Sequence, residues 1–306
     1  MAATKNIQTG STPTILLGRV DGDLNIQGWS QPEISVRIGS LDDLQISESD
    51  DAIEIVCNDD CTLRVPEGAT LGLHGVKGDA RMINLRGELA IERVDGDLQL
   101  RSIGQAVVGQ VNGDLSVRDV RHDLTVNNIN GDASISLVGG DATIGNVADD
   151  LTLTSVAGNL EARVGDDASL RLNLTPGRRY AVTAGGDLNC RIPANASAEV
   201  SLSCGGDLAV RKFAIIVDGS QAQNFMLGAG EAQLALVTVG DLALIGQDED
   251  WQADGNAGAE IAVEVAVQAA QLAEQVTSQI ETQMTSMARQ LDDKFSSFPL
   301  TASTIA

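Results

Sequence analysis

Residues Lys77 to Leu172 read KGDARMIN, LRGELAIER, VDGDLQLRS, IGQAVVGQ, VNGDLSVRD, VRHDLTVNN, INGDASISL, VGGDATIGN, VADDLTLTS, VAGNLEARV, GDDASLRL. One slot is acidic or amide throughout: Asp79, Glu88, Asp97, Gln105, Asp114, Asp123, Asp132, Asp141, Asp150, Asn159 and Asp167, each 8 or 9 residues from the last. The consensus is apolar-x-Gly-Asp-Leu-x-Val-x-x, one short strand and one tight turn per unit. Period-2 alternation within the strands, as in Leu98/Leu100, Leu115/Val117 and Leu124/Val126, sends one row inward and one outward.

Alternate units resemble each other more than neighbours do. Asp95-Gly96, Asn112-Gly113 and Asn130-Gly131 occupy every second turn and suit a left-handed backbone. The intervening turns use Arg86-Gly87, Arg121-His122 and Gly139-Gly140. Two kinds of turn predict a coil of two strands and about 18 residues, with coils stacked about 4.8 Å apart. The fold class is therefore all-β, a flattened β-solenoid.

Outside 76–174 the pattern loosens. GRVDGDLNIQGW (Gly18 to Trp29) is one clear unit, followed by acidic alternating strands around Ile34–Ile38, Leu44–Ile46 and Ile53–Val56. Downstream, Gly186-Asp187, Gly206-Asp207 and Gly240-Asp241 are 20 and 34 residues apart, which predicts longer strands or protruding loops. Continuity of the Gly-Asp signal predicts one β domain over 12–247, preceded by a disordered tail, 1–11.

The chain has 306 residues and a formal charge of 20 − 43 = −23, with only four Phe, two Trp and one Tyr. Nucleic acid and anionic membrane both select for clustered Lys and Arg, so neither is an expected partner. Few rings also means few stacking platforms for bases or sugars. The apolar run Ile15–Leu17 falls short of the about 7–15 residues of a secretory core, and nothing approaches the about 18 of a membrane span. The expectation is a soluble, cytoplasmic protein.

Three further stretches carry a family resemblance. CTLRVPEGATLGLHGVKGDARM (Cys61 to Met82) joins a strand and a Val-Pro-x-Gly turn to the first regular Gly-Asp. YAVTAGGDLNCRIPANASAEVSLSCGGDLAV (Tyr180 to Val210) repeats Gly-Gly-Asp-Leu around a Pro turn, and MLGAGEAQLALVTVGDLALIG (Met226 to Gly246) ends in a closing Gly-Asp-Leu strand. Together they resemble the bacterial "putative adhesin" β-strand-repeat family, the toast-rack-like solenoids. A weaker likeness is to the polymer-forming bactofilins, which would imply end-to-end growth. The resemblance implies a non-catalytic surface or binding role and brings no catalytic residues.

In an 18-residue coil Asp79, Asp97, Asp114, Asp132, Asp150 and Asp167 stack along one edge. Unit charges about 4.8 Å apart repel by about 0.9 kcal/mol even in water. The expected offset is an Asx-type bond from each carboxylate to its own turn's N–H groups. The alternative is a ladder of Ca²⁺ ions, although the unit lacks the calcium nonapeptide's double-glycine loop. Cys57 and Cys61 bracket a turn and Cys190 and Cys204 lie on neighbouring Gly-Asp strands. They read as free structural thiols, with disulfides the second choice and a metal the third. His74 and His122 read as surface residues. No phosphate loop, nucleophile elbow or metal-binding helix motif occurs, so no enzyme, cofactor or metal is expected.

Composition shifts after a linker at 248–256. From Ala257 to Phe298 Ala, Gln, Glu and Met dominate, predicting an amphipathic helix followed by a tail, 299–306. Its apolar row includes Val265, Leu272, Val276, Ile280, Met287, Leu291, Phe295 and Phe298. Val265, Val276, Met287 and Phe298 recur at 11-residue intervals, the period of a straight or slightly right-handed coiled-coil seam. The helix is thus expected to join copies into a homo-oligomer or filament, or to hold a protein partner. The function expected is a non-catalytic scaffold that self-associates through this helix. The alternative is a protein-binding module, of an envelope-stress or surface-adhesin system, that docks on a solenoid face.

Overall fold

The computed structural model describes residues 3–49, 52–213 and 221–247. The chain divides into two units, 1–249 and 250–306. The second, with the expected helix and its apolar row, lies outside the described residues.

Within the first unit, each strand pairs in parallel with the strand one coil further along. Leu98 faces Leu115, which faces Ala133, then Leu151, then Ala168. On the opposite side Ala106 faces Leu124, then Ala142, then Leu160, then Tyr180. These steps of 17, 18 or 20 residues are the predicted two-strand coil. The first series lies on what we term face one and the second on face two. The Gly-Asp turn that leads from face two into face one forms the first edge.

Three apolar positions per unit close the core. In the coil 106–120 they are Ala106, Val108 and Val111 from face two and Leu115, Val117 and Val120 from face one, all at 2% exposure or less. Each fully buried Val or Leu contributes about 1.5–3 kcal/mol, and aliphatic columns fill so thin an interior without large rings. Tyr180 is the exception. Its hydroxyl escapes the core to accept from Thr175 N (3.0 Å) and donate to Asn173 O (3.2 Å).

The left-handed residues are not where the turn sequences placed them. Gly96, Gly113 and Gly131 do not have positive φ. Asn84, Ser102, Asp119, Leu137 and Ser155 do, at 55 to 64°, one per coil where face one bends toward the second edge. The turn glycines are required for another reason. A Cβ on Gly96, Gly113 or Gly131 would overlap Oδ1 of the aspartate in the preceding coil, namely Asp79, Asp97 or Asp114.

Order along the stack departs from order along the chain at both ends. The coil 14–29 sits between the coils 53–66 and 70–83: Leu24 faces both Cys61 and Ala80, and Ile15 faces both Ile53 and Leu71. At the other end the coil 232–247 sits between 179–193 and 198–211: Leu242 faces both Leu188 and Leu208, and Leu234 both Tyr180 and Val200. The irregular downstream spacing therefore records an inserted coil rather than longer strands.

Two matching turns step over the inserted coils. Ala69 N donates to Pro66 O, and Ala196 N to Pro193 O, each at 3.0 Å. The first turn is tied to the inserted coil by Glu67 N to Trp29 O (3.0 Å) and Thr70 N to Pro13 O (3.0 Å). The second is tied by Ala194 N to Gln247 O (2.8 Å) and Ala232 N to Ser197 O (3.1 Å). Proline suits the last residue of these strands, where no ladder donor is needed.

Antiparallel strands finish the stack. Ala3–Gln8 pairs with Glu33–Ile38, which pairs with Cys61–Pro66, while Leu44–Glu48 pairs with Ile53–Cys57. Residues 3–8, expected as part of a disordered tail, form a strand because Ile7 packs opposite Ile34 and is 5% exposed. At the far end Ala222–Leu227 runs antiparallel to Ala198–Ser203. Reversing the last strand interrupts the parallel template that a further coil would join.

The inserted coil makes a truncation prediction. A chain ending at residue 231 loses the coil that joins 179–193 to 198–211. Its melting temperature, followed by far-UV circular dichroism, should fall by more than about 10 °C. A chain ending at 249, which keeps that coil, is the reference for the comparison.

Candidate functional site

The first edge carries a continuous aspartate ladder. Oδ1 of each aspartate accepts the backbone N–H of the aspartate in the next coil, at 2.6 to 3.1 Å. In spatial order the column is Asp60, Asp23, Asp79, Asp97, Asp114, Asp132, Asp150, Asp167, Asp187, Asp241 and Asp207. The six aspartates singled out from the sequence are consecutive within it. The other five were missed as ladder members because their order in space is not their order in the chain. The bond also differs from the one expected: it joins coils and is not an Asx turn within one coil.

The geometry explains the Gly-Asp pair. The carboxylate lies over the turn of the next coil, where a glycine leaves room for its close approach. Asp149 and Asp166 stand where other turns have that glycine, and the ladder bonds made by Asp150 N and Asp167 N are the longest, at 3.1 Å. Asp167, Asp150, Asp149 and Asp187 crowd Asp166 and raise its pKa above the ordinary carboxylate value.

A shorter ladder runs on the second edge. Asp123 Oδ1 accepts Asp141 N (2.8 Å), Asp141 Oδ1 accepts Asn159 N (2.8 Å) and Asn159 Oδ1 accepts Arg179 N (3.0 Å). The Asn159 backbone N–H, then its side-chain amide, hold the Asp141 carboxyl below its usual pKa. Asn159 makes the onward bond without a charge, so the ladder requires the acceptor oxygen rather than the anion.

Grooves flank the ladder on face one. Their walls include Asp79, Asp97 and Asp114 opposite Arg81, Gln99 and Ser116 near one end, and Asp167 and Asp187 opposite Ser169 and Asn189 near the other. Among the described residues no three Asp, Glu, His or Cys side chains converge to hold a metal ion. One oxygen of each ladder carboxylate, Oδ1, is engaged by an N–H.

Face one has two outward rows. The row nearer the ladder runs Thr62, Asn25, Arg81, Gln99, Ser116, Ser134, Thr152, Ser169, Asn189, Ala243, Ala209. The next runs Arg64, Gln27, Ile83, Arg101, Arg118, Ser136, Thr154, Arg171, Arg191, Ile245, Arg211. Neither row contains an Asp or Glu. Arg101 faces Arg118 and Arg171 faces Arg191 on adjacent strands. Among the described residues no carboxylate lies within ion-pair distance of Arg101 or Arg118. Like charges directly opposite one another weaken a sheet, so this arrangement is not explained by stability. Face two is different in character: Leu16 and Val107 stand 41% and 43% exposed beside Gly72 and Ala90.

The histidines are peripheral. His74 pairs with Glu92 on exposed face two, and His122 occupies an exposed turn of the second edge. Cys190 and Cys204, read from sequence as neighbours, are separated by the inserted coil, since Cys190 faces Leu244. Burial pushes the Cys190 thiol up to about 12. Cys57 and Cys61 are brought together, with Sγ atoms 2.7 Å apart.

No family model matches the chain, and no curated protein matches it. Solved structures with a similar fold include a "putative cell adhesion protein" from Clostridium sporogenes ATCC 15579, at 12% identity over 81% of this chain and 99% of that one, with a TM-score of 0.19. A "putative adhesin" from Parabacteroides merdae ATCC 43184 is 13% identical over 79% and 95% of the two chains, with a TM-score of 0.34. A "Putative lipid binding protein" from Parabacteroides distasonis ATCC 8503 is 12% identical over 81% and 95%, with a TM-score of 0.25. The adhesin descriptions agree with the family the sequence resembles. At these scores they lend nothing to a functional argument, which rests on the geometry of the faces.

Two substitutions test the ladder. Asp132→Ala removes the acceptor of Asp150 N and should cost about 1–3 kcal/mol in urea unfolding, whereas Asp132→Asn keeps the oxygen and should be neutral or stabilising. Asp166→Asn should raise the melting temperature at pH 7. A carboxylate whose folded pKa is raised is unstrained below its unfolded pKa of about 4 and weakens the fold as pH rises through the raised value. The gain from Asp166→Asn should therefore shrink toward zero near pH 3 and diminish with added salt.

Proposed function

We propose that this protein is a non-catalytic docking rod whose face one receives an acidic protein surface. The observation that carries the reading is the pair of outward rows holding Arg64, Arg81, Arg101 and Arg118 toward one end and Arg171, Arg191 and Arg211 toward the other, with no acid among them. In a chain of net charge −23, that segregation gives one face the opposite sign from the edge beside it. Stacked, like-charged arginines are an unfavourable arrangement that an anionic partner would relieve. Arg101 with Arg118 and Arg171 with Arg191 stand on adjacent coils, two guanidinium pairs separated by Ser136 and Thr154, which an extended acidic segment lying along the row could meet in turn. The reading does not depend on self-association through residues 257–298, which are outside the described residues.

The test uses poly-L-glutamate as the probe. Fluorescence anisotropy at low ionic strength should show binding that weakens steeply with salt, and Arg101→Ala with Arg118→Ala should reduce affinity at least about tenfold. Absence of binding by the unmodified protein, or equal binding by the double variant, would remove face one as the docking surface.

A further inference from the structure

In the regular coils the last inward residue before the first-edge turn and the first one after it are both apolar and buried. These pairs are Val20 and Leu24, Val76 and Ala80, Val94 and Leu98, and Val111 and Leu115 in successive coils. In the coil 53–66 both positions are cysteine. Cys57 faces Val20 and Cys61 faces Leu24 in the adjacent coil, so the two thiols occupy ordinary core positions. Both are buried, at 0% and 2% exposure, beneath the exposed turn Asn58–Asp60. Their sulfurs lie 2.7 Å apart, closer than two unbonded sulfur atoms rest and a small movement from the about 2.05 Å of a disulfide.

We propose that Cys57 and Cys61 are a redox pair that closes as a disulfide across the first-edge turn of the outermost regular coil at the N-terminal end of the stack. The co-reactant is a low-molecular-weight disulfide. The Cys57 thiolate attacks one of its sulfurs, forming a mixed disulfide and expelling one thiolate. The Cys61 thiolate then attacks Cys57 Sγ and expels the second. The two protein protons pass to the two released thiolates, and the protein is oxidised by two electrons as the small disulfide is reduced to two thiols. The assignment of Cys57 as the attacking sulfur is supported by its partner: the Cys61 thiol, hydrogen-bonded to it, holds Cys57 below its ordinary pKa.

The consequence is specific to this end of the stack. The cysteines belong to the coil that holds the inserted coil 14–29 against 70–83, and they flank Asp60, the terminal acceptor of the aspartate ladder. Closing the disulfide staples the turn at which the ladder starts. Cys190 and Cys204, two coils apart, cannot form the corresponding bond without moving the coil between them. Only one pair therefore responds to an oxidant. A disulfide that persists would place the chain in an oxidising compartment, against the cytoplasmic expectation from sequence.

The test incubates the full-length protein with glutathione disulfide, alkylates it under denaturing conditions and digests it with trypsin. Cys57 and Cys61 fall in one tryptic peptide, residues 38–64. The expected result is that this peptide escapes alkylation and is lighter by two hydrogen atoms than its dithiol form, while Cys190 and Cys204 are alkylated. Oxidised protein should melt several degrees above reduced protein. A Cys57→Val, Cys61→Ala variant, which copies the Val76 and Ala80 pair, should fold and show no response to reductant. If the peptide 38–64 carries two alkylated cysteines after equilibration at a glutathione potential of about −180 mV, the proposal is overturned. An equal response to reductant in the variant would overturn it as well.

Discussion

The structure depends on one bond, repeated: a carboxylate oxygen of one coil accepting the backbone N–H of the aspartate in the next. Around a first-edge turn, as at 112–115, backbone carbonyls of the adjacent coils take the other N–H groups and leave the aspartate's own N–H to the carboxylate. Each aspartate satisfies a donor in the neighbouring coil and fixes the separation of the two turns. The glycine that precedes eight of the eleven ladder aspartates follows from this, since a side chain there would occupy the space of the carboxylate. The acid excess on the edge is a consequence of coil stacking. Repulsion of about 0.9 kcal/mol between adjacent charges in water is of the same order as one charge-assisted hydrogen bond, which contributes about 1.5–3 kcal/mol, and the bond prevails.

A stack held by identical bonds has no intrinsic end, and this chain terminates it by topology. The first and last β coils are each placed one step inside the stack, and the coils outside them carry antiparallel strands. Pulling a terminus thus cannot peel an outer coil away, because the terminal coil is paired on both sides. The arrangement also makes folding non-local. Leu24 must find both Cys61 and Ala80, and Leu188 must find Leu242 across an intervening coil. Contacts of that separation close slowly, so the local central coils, 89–156, are the natural place for structure to begin.

How much of this was legible depended on whether order in sequence matched order in space. Between Asp79 and Asp167 it does, and the 9-residue spacing was enough to predict the two-strand coil, the inward rows and the aspartate column. At the ends the Gly-Asp signals of Asp23, Asp60, Asp187, Asp207 and Asp241 were visible, but nothing in their spacing says which stacks on which. The two proline turns were noticed as family punctuation, while their work of spanning an inserted coil needed the strand pairings. The glycines were read as left-handed turn residues because Asn-Gly and Asp-Gly usually are. Here close approach of the next coil explains them, and the left-handed positions fell to Asn84, Ser102, Asp119, Leu137 and Ser155, four residue types and none of them glycine.

The division between edge and face bears on function. Edge residues are tied to the fold: a ladder position must supply an acceptor, and the slot before it favours glycine. The outward positions of face one are under no such demand. Along one row Ser136 and Thr154 occupy the same register as Arg118 and Arg171, so hydroxyls serve the sheet as well as guanidinium groups do. Where the fold accepts serine, Arg118 stacked on Arg101, with no carboxylate of the described residues in ion-pair distance of either, is a cost without a structural return. The acids are the conspicuous charges of this sequence, and those of the two ladders follow from coil stacking. The arginines of face one, which coil stacking does not call for, are the better guide to what this face meets.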